Sequence, residues 1–334
     1  MSVTRLLYLA AALCLVVLAG CGPAAPAATP TPPTTAAAIQ LSWVPNIEFA
    51  GLFMAEDEGF YAAEGLDVSI LPGGFDSDGN YINPIDQVLT GSAQFGVTEG
   101  SDLLLARADG QDLVAVMALY QRHPFALVSR ADKNIVRPQD LVGATVEVSP
   151  KGMPLYLALL ASQNIDPASV NTRPIGDASL QRMFAGQVDV VEDWLINETG
   201  SMGEINSIAL LDYGIDAYPN VVFTTAAFIQ EHPDLVQRFV RATVKGLQAA
   251  IAGPDEAAAL AVSHNADLNP DTQERGMQRS IPLLNPSGSR PGAMTATAWE
   301  FMHQVLVDQS IIEQPLDISK AYTTRFVDQV YANQ

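Results

Sequence analysis

The chain has 334 residues, with 37 Asp and Glu against 17 Lys and Arg, and its formal net charge is -20. This acidic balance argues against binding to nucleic acid or to an anionic membrane surface, because both carry phosphate groups that repel it. It also weighs against a highly charged anionic ligand. The length is sufficient for two domains that each bury a core.

The N-terminal segment has the pattern of a secretory signal. Arg5 precedes the apolar run Leu6 to Leu18, and small residues then lead to Cys21. This pattern predicts a signal peptide over residues 1–20, with an apolar run too short to span a bilayer comfortably. The ending "LAGC" resembles the bacterial lipobox, which implies that Cys21 becomes the acylated first residue. Cys14 would leave with the signal, so neither a disulfide framework nor cysteine catalysis is expected.

Residues 21–38 are predicted to form a tether. After Cys21 they are almost entirely Ala, Pro and Thr, a composition that cannot bury a core and that favours extended chain. At about 3.1 Å per residue in polyproline II geometry, the tether would reach roughly 50 Å. The expected product is a globular body from Ile39 to Gln334, held outside the cell by its lipid.

Strand patterns alternate with helical patterns along the body. Short β-branched runs predict strands over 66–71, 112–120 and 144–149. This alternation is typical of an α/β fold with largely parallel sheets. From Pro233 the apolar spacing becomes helical, and the last helices are predicted over 297–308 and 317–332.

One short unit occurs twice. "IDQVLTGSAQFGVTE" begins at Ile85 and "LQRMFAGQVDVVEDW" begins at Leu180. Each has a helical pattern, then a glycine, then a short apolar strand. Gly91 and Gly186 suit the position just past a helix end, where a positive φ is required. We therefore expect one copy in each of two lobes.

Ligands of open α/β sheets bind beyond the carboxyl ends of the strands. The segments that follow the predicted strands are richer in aromatic and polar residues than the strands themselves, and a cleft between two lobes would gather them. These segments are Trp43–Phe49, Thr98–Asp102, Gln121–Phe125, Ser149–Tyr156 and Glu192–Trp194.

Several longer stretches resemble one protein family. "WVPN", "GLFMAEDEGFYAAEGLDVSI", "LTGSAQFGV", "RPQDLVGATVEV" and "EHPDLVQRFVRATVKGLQAA" follow one another in the order found in the solute-binding proteins grouped with thiamine pyrimidine synthases and alkanesulfonate binders. The resemblance covers about 39–261. It implies a type II periplasmic-binding-protein fold of two α/β lobes, joined by two hinge strands, with a helical C-terminal part. Lobe 1 would be 39–122 plus 225–334, and lobe 2 would be 123–224.

The same resemblance implies the partners. Such proteins capture a small molecule between the lobes and deliver it to the permease and ATPase subunits of an ABC importer. We therefore expect a monomer on the outer face of the cell membrane, attached only through its lipid, with no nucleic-acid partner.

One branch of the family is an enzyme, and its motifs differ from this sequence. That synthase holds pyridoxal phosphate on a lysine, and the aligned residue here is Thr98. Asp102 stands in the place of its histidine, and its cysteine cluster falls at Asn220 to Phe223, which holds no cysteine. Without an amine no Schiff base forms. We expect no enzyme, no catalytic residue, no cofactor and no metal.

The opening turn bears on the ligand. The pyrimidine-binding branch reads Trp-x-Pro-Asn-x-x-His, and here Phe49 replaces the histidine. An aromatic ring at that place favours a larger flat ligand, and the chain resembles the riboflavin-binding lipoproteins of flavin importers most closely. Riboflavin is therefore the expected ligand, while a thiamine pyrimidine precursor or a sulfonate stays an alternative.

The expected ligand-binding residues supply rings for stacking, amides for a heterocycle edge and carboxylates for hydroxyl or N–H groups. Of the adjacent pair Glu192 and Asp193, one is expected to face the ligand and the other to be structural, because neighbours on a strand point to opposite sides. The expected set is Trp43, Asn46, Phe49, Glu99, Gln121, Tyr156, Glu192, Asp193, Trp194 and Asn220.

Overall fold

The computed structural model describes residues 34–176, 178–197 and 202–332. The predicted signal peptide and the predicted lipidation site Cys21 lie outside these residues. Among the residues described, no helix is long and apolar enough to cross a membrane.

The described part of the chain contains ten strands. They are β1 (Thr35–Gln40), β2 (Leu66–Leu71), β3 (Phe95–Thr98), β4 (Leu113–Ala118), β5 (Phe125–Arg130), β6 (Thr145–Val148), β7 (Asn171–Pro174), β8 (Val190–Trp194), β9 (Ile205–Ala209) and β10 (Val221–Thr225).

Twelve α-helices lie in the same ranges. They are α1 (Ala50–Asp57), α2 (Phe60–Ala63), α3 (Pro84–Leu89), α4 (Gly100–Ala108), α5 (Met153–Ser162), α6 (Ser179–Phe184), α7 (Ala226–Glu231), α8 (Pro233–Ala252), α9 (Pro254–His264), α10 (Pro270–Leu284), α11 (Ala296–Asp308) and α12 (Arg325–Ala332).

The strands form two five-stranded mixed sheets. The first has the order β2-β1-β3-β10-β4 and the second the order β7-β6-β8-β5-β9. In the first sheet β1 runs parallel to β2 and β3, whereas β10 runs antiparallel to β3 and β4. In the second, β6 runs parallel to β7 and β8, whereas β5 runs antiparallel to β8 and β9. The predicted α/β fold is thus confirmed, and in each sheet one strand, β10 or β5, runs antiparallel to the other four.

The repeated unit occurs once in each sheet. α3 and β3 form the first copy, and α6 and β8 form the second. Gly91 and Gly186 have φ values of 78° and 74°, which confirms that both stand at a left-handed turn where a residue without Cβ is favoured.

The chain passes between the sheets at two places, 119–124 and 214–220. The predicted boundary between 224 and 225 falls within β10, and β10 belongs to the first sheet. The division into two hinged lobes stays a prediction, and sheet membership favours ending the second lobe before Val221.

The C-terminal helices cover the first sheet. α8 packs against α1 so closely that a Cβ on Gly246 would collide with the carbonyl oxygen of Gly51. The buried face of α8 includes Phe239, whose ring stacks on Phe95 of β3 with centroids 4.0 Å apart. This face is the apolar stripe that the helical spacing predicts.

Two predicted boundaries are wrong. Strand β1 begins at Thr35, so residues 35–38 of the predicted tether pair with β2. A run of alanines gives little strand signal of its own, and the parallel partner supplies the hydrogen bonds. The predicted last helix over 317–332 is instead a 3-10 turn, Ile318–Lys320, followed by α12.

Candidate functional site

A cavity of about 540 Å³ opens at the carboxyl ends of β1, β3 and β8. It therefore lies where ligands of open α/β sheets bind, and both sheets contribute to its wall. Its lining residues are Ser42, Trp43, Asn46, Glu48, Phe75, Tyr81, Thr98, Glu99, Lys151, Trp194, Asn197 and Asn220.

Aromatic side chains form one wall of the cavity. Trp43 is 43% exposed and Phe75 is 60% exposed, and their rings meet edge to face with centroids 5.7 Å apart. The Phe75 ring also meets the Tyr81 ring, with centroids 5.9 Å apart. Large rings left open to solvent in a concave site are typical of ligand-binding surfaces.

The loop after β2 carries Phe75 and Tyr81 into this wall. The Tyr81 hydroxyl donates to the carbonyl of Ser42 at 2.8 Å, which ties the loop to the segment after β1. A Cβ on Gly73 would collide with the carbonyl of Leu41, so only glycine allows the loop to approach the end of β1 this closely.

A polar cluster forms another part of the cavity. The side chain of Asn46 caps the 3-10 turn Ile47–Phe49, since its Oδ1 accepts from the Glu48 N–H at 2.7 Å. The Glu48 carboxylate accepts from the Nδ2 atoms of Asn46 at 3.2 Å and Asn220 at 3.3 Å. Burial raises the pKa of Glu48, and these two hydrogen bonds oppose the rise.

A smaller chamber of about 170 Å³ adjoins the first, with Glu99, Lys151 and Trp194 lining both. It is mostly apolar, and its other lining residues are Ser101, His123, Phe125, Ser149, Gly152, Pro154, Leu155, Glu192, Ala217, Tyr218, Met302, Val305 and Leu306.

Glu192 is fixed at the wall of the smaller chamber. Its carboxylate accepts from the Ser149 N–H at 2.6 Å and from the Ser149 hydroxyl at 3.0 Å. Burial raises its pKa, and these hydrogen bonds oppose the rise. A Cβ on Gly152 would collide with the carboxylate, so glycine leaves the space that Glu192 occupies.

Trp194 has a fixed neighbour in His123. The imidazole is buried and meets the indole edge to face with centroids 5.5 Å apart. Burial lowers the pKa of His123 to about 3, so the ring is neutral at physiological pH. Its Nδ1 then accepts from the Phe125 N–H at 3.1 Å, which fixes the orientation of the imidazole against Trp194.

Glu99 lies where the two chambers meet. Burial raises its pKa to about 7, Asp102 and Glu192 add to the rise, and Lys151 opposes it. Lys151 comes from the segment after β6, and its Nζ lies 2.8 Å from Asp102 Oδ2 on α4. The ammonium also lies 5.7 Å from the centre of the Tyr81 ring, within the range of a cation–π contact.

Further contacts connect the two sides of the chambers. Arg279 Nη1 on α10 donates to the carbonyl of Asn197 at 2.6 Å. Gln309 Nε2, just after α11, donates to the carbonyl of Pro154 at 2.7 Å. With the Lys151–Asp102 pair, these contacts join the part of the chain around the first sheet to the part around the second.

The structure brings six of the predicted residues to the two chambers. The larger chamber is lined by Trp43, Asn46, Glu99, Trp194 and Asn220, and Glu192 lines the smaller one. Asp193 lines neither chamber, and its Oδ1 accepts from Asn197 Nδ2 at 2.8 Å. That any of these seven residues binds the ligand stays a prediction.

Three other predicted residues lie elsewhere, and their expected placement is corrected. Phe49 and Tyr156 are fully buried in the cores beneath the two sheets. The Gln121 amide donates to the carbonyls of Leu284 and Arg290, so it holds the chain after α10. The Phe49 side chain reaches neither chamber. The phenylalanine in place of the family histidine therefore no longer favours a ligand with a larger ring system.

Seven residues that line the larger chamber were absent from the predicted set, although a signal existed for most of them. Phe75 and Tyr81 lie in the loop after β2, and the rule about strand ends points to that loop as well. Glu48, Thr98 and Lys151 lie within segments that the same rule selects, and Ser42 directly precedes one of them. Asn197 lies three residues past the end of β8, just beyond the segment Glu192–Trp194 that the rule selected.

The fold is of a known type. Two mixed sheets with a cavity at their strand ends, and helices covering the first sheet, match the fold of solved periplasmic binding proteins. A sulfonate-binding protein SsuA from Methylobacillus flagellatus KT, described as putative, superimposes with a TM-score of 0.70 at 13% identity, covering 90% of this chain and 95% of the other.

Sequence comparison gives the family. A profile of the family described as "NMT1/THI5 like" matches residues 46–257. The chain belongs to this family.

Three relatives resemble the chain over most of their lengths. The riboflavin-binding protein RibY of Chloroflexus aurantiacus is 29% identical, covering 91% of this chain and 89% of the relative. The formylaminopyrimidine-binding protein of Halalkalibacterium halodurans is 25% identical, covering 86% and 89%. The 4-amino-5-hydroxymethyl-2-methylpyrimidine phosphate synthase of Legionella pneumophila is 26% identical, covering 86% and 90%.

Proposed function

We propose that this protein is the extracytoplasmic substrate-binding lipoprotein of an ABC importer and that it binds riboflavin between its two sheets. The observation that carries the proposal is the cavity of about 540 Å³ with Trp43, Phe75 and Tyr81 along one wall and Trp194 on the other sheet. Its volume falls within the range of roughly 300–1,000 Å³ usual for small-molecule sites.

The rings suit the flat tricyclic part of riboflavin. Aromatic pairs gain about 0.5–1.5 kcal/mol beyond their buried area when they stack or meet edge to face. Trp43 and Phe75 are open to solvent, so a bound ring would cover surface that is otherwise wet. The 29% identity to RibY, a protein named for riboflavin binding, supports the same ligand.

The polar groups suit the rest of the molecule. The cluster of Asn46, Glu48 and Asn220 offers donors and acceptors to the uracil-like edge of the ring system. The smaller chamber, with the carboxylates of Glu99 and Glu192, offers acceptors to the hydroxyl groups of the ribityl chain.

The second candidate is a thiamine pyrimidine precursor. The relative named for formylaminopyrimidine binding supports it, and so does the loss of the argument from Phe49. A single pyrimidine ring would fill only part of the larger chamber. A sulfonate has less support, because the likeness to SsuA concerns the fold alone and, among the described residues, neither chamber is lined by arginine.

The proposal includes no catalytic step. Thr98 takes the position of the synthase lysine, and Lys151 is the lysine that lines the chambers among the described residues. Burial lowers the pKa of Lys151, but Asp102 and Glu99 outweigh it and the pKa is raised overall. A protonated amine is a poor nucleophile for a Schiff base.

The N-terminal segment supports a location outside the cell. Cleavage before Cys21 and its acylation would anchor the protein to the outer face of the membrane, and the shortened tether over 22–34 would separate the globular part from the lipid. From there a monomer would deliver riboflavin to the permease and ATPase subunits of the importer.

Spectroscopy of the purified full-length protein tests the ligand. We expect a yellow protein, or a colourless one whose thermal midpoint rises when riboflavin is added. Ligand at 100 times its Kd stabilises the folded state by ~2.7 kcal/mol. Formylaminopyrimidine, measured in parallel, serves as the comparison. A midpoint that rises only with the pyrimidine would transfer the assignment to the second candidate.

A further inference from the structure

The two chambers contain more negative than positive groups. Glu48 and Glu99 line the larger chamber, and Glu99 and Glu192 line the smaller one. Lys151 is the one Lys or Arg among the described residues that line them. It is already paired with Asp102 at 2.8 Å, so its charge is matched before any ligand enters.

The carboxylates also accept from several of the donors that an anion could use. The side-chain amides of Asn46 and Asn220 both donate to Glu48. The hydroxyl and N–H of Ser149 both donate to Glu192. An entering phosphate or sulfonate would have to displace Glu192 to reach the donors of Ser149, and it would lie beside Glu48 if it used the second N–H of either amide.

We propose that Glu48, Glu99 and Glu192 make this cleft exclude anions, so that it takes an uncharged heterocycle and rejects the phosphate ester of the same molecule. The inference rests on the proposed function and adds a substrate class to it. Riboflavin is uncharged at neutral pH, whereas a phosphate monoester carries about -1.5 to -2 charges. Salt screens charges in a partly buried cleft less than it screens charges on the surface.

A comparison of two flavins tests the exclusion. The purified full-length protein is titrated with riboflavin and with riboflavin 5′-phosphate at pH 8, where Glu99 is ionised. We expect binding of the phosphate to be at least tenfold weaker. Glu99→Gln and Glu192→Gln should each reduce the preference for riboflavin over its phosphate severalfold, whatever they do to the affinity for riboflavin itself.

The control removes the same charge at a distance. Glu231 is exposed at the end of α7, and α7 follows the end of β10 that points away from the chambers. Glu231→Gln changes the net charge by the same amount as the other two variants. It should leave the affinity ratio at the wild-type value. A ratio that narrows equally in all three variants would assign the effect to overall charge and overturn the role of the cleft carboxylates.

The remaining outcomes separate the inference from the proposed function. Equal affinity for both flavins overturns the exclusion and leaves riboflavin binding intact. If neither flavin binds, the proposed function fails, and ethanesulfonate added in the same titration decides the exclusion by itself. A thermal shift with ethanesulfonate contradicts the exclusion, whereas no shift supports it.

Discussion

Replacement of Trp43 by alanine is expected to weaken riboflavin binding by about 1–3 kcal/mol, the range found for aromatic side chains on which bases stack. The indole lies in the wall of the larger chamber, and Trp43 is 43% exposed. Its removal therefore takes away a ligand contact but leaves no cavity in the hydrophobic core. Titration of riboflavin fluorescence measures the loss, and denaturant unfolding of the same variant should show near wild-type stability.

Two further variants sharpen this experiment. Trp43→Phe keeps a ring in the wall and should recover part of the affinity. Val44→Ala removes an exposed apolar neighbour that does not line the chamber, and should bind as the wild type does. A wild-type Kd in folded Trp43→Ala protein would show that the ring has no part in binding.

Replacement of Glu99 by glutamine is expected to stabilise the ligand-free protein at alkaline pH. The folded-state pKa of about 7 lies above the ordinary value of 4.5, so between these values the folded state binds more protons than the unfolded state. Stability is then lost as the pH rises through this window. Glutamine is uncharged at every pH, so the gain should be small near pH 4.5 and reach roughly 1–3 kcal/mol at pH 8, given about 1.4 kcal/mol per pKa unit.

Urea unfolding of both proteins at pH 5 and pH 8 measures this difference. Glu231→Gln, which removes an exposed carboxylate far from the chambers, is the control and should show no comparable gain at pH 8. A Glu99→Gln variant that gains no more stability at pH 8 than at pH 5 would contradict the raised pKa and the burial that causes it.

Most of the helices and strands could be predicted from the sequence because their residue patterns are local. β2 has the predicted bounds, and α8 carries its apolar residues at helical spacing on the face that packs against the first sheet. Gly91 and Gly186 mark helix ends because a positive φ is a property of the residue itself. The start of β1 was missed, since Thr35 and the alanines after it gain their strand conformation from β2.

The site was predicted in part, and the errors have a common cause. The rule about strand ends located the chambers and selected Trp43, Asn46, Glu99 and Trp194. It could not say which way a side chain faces. Phe49 directly precedes α1, whose first six residues are all buried, so the periodicity gives no indication of an outer face. The position of Phe49 in the core follows from packing against residues distant in sequence.

A crystal structure of the protein with riboflavin tests the central claim most directly, because that claim is a location. We expect the tricyclic ring in the larger chamber between the two sheets, with its centre within about 7 Å of the Trp43 and Trp194 rings, the range of aromatic pairs. Flavin bound on the outer surface, or in the neighbouring cavity beside Arg122 and Arg279 that shares Trp194 and Asn197 with the larger chamber, with the larger chamber left to solvent, would contradict it.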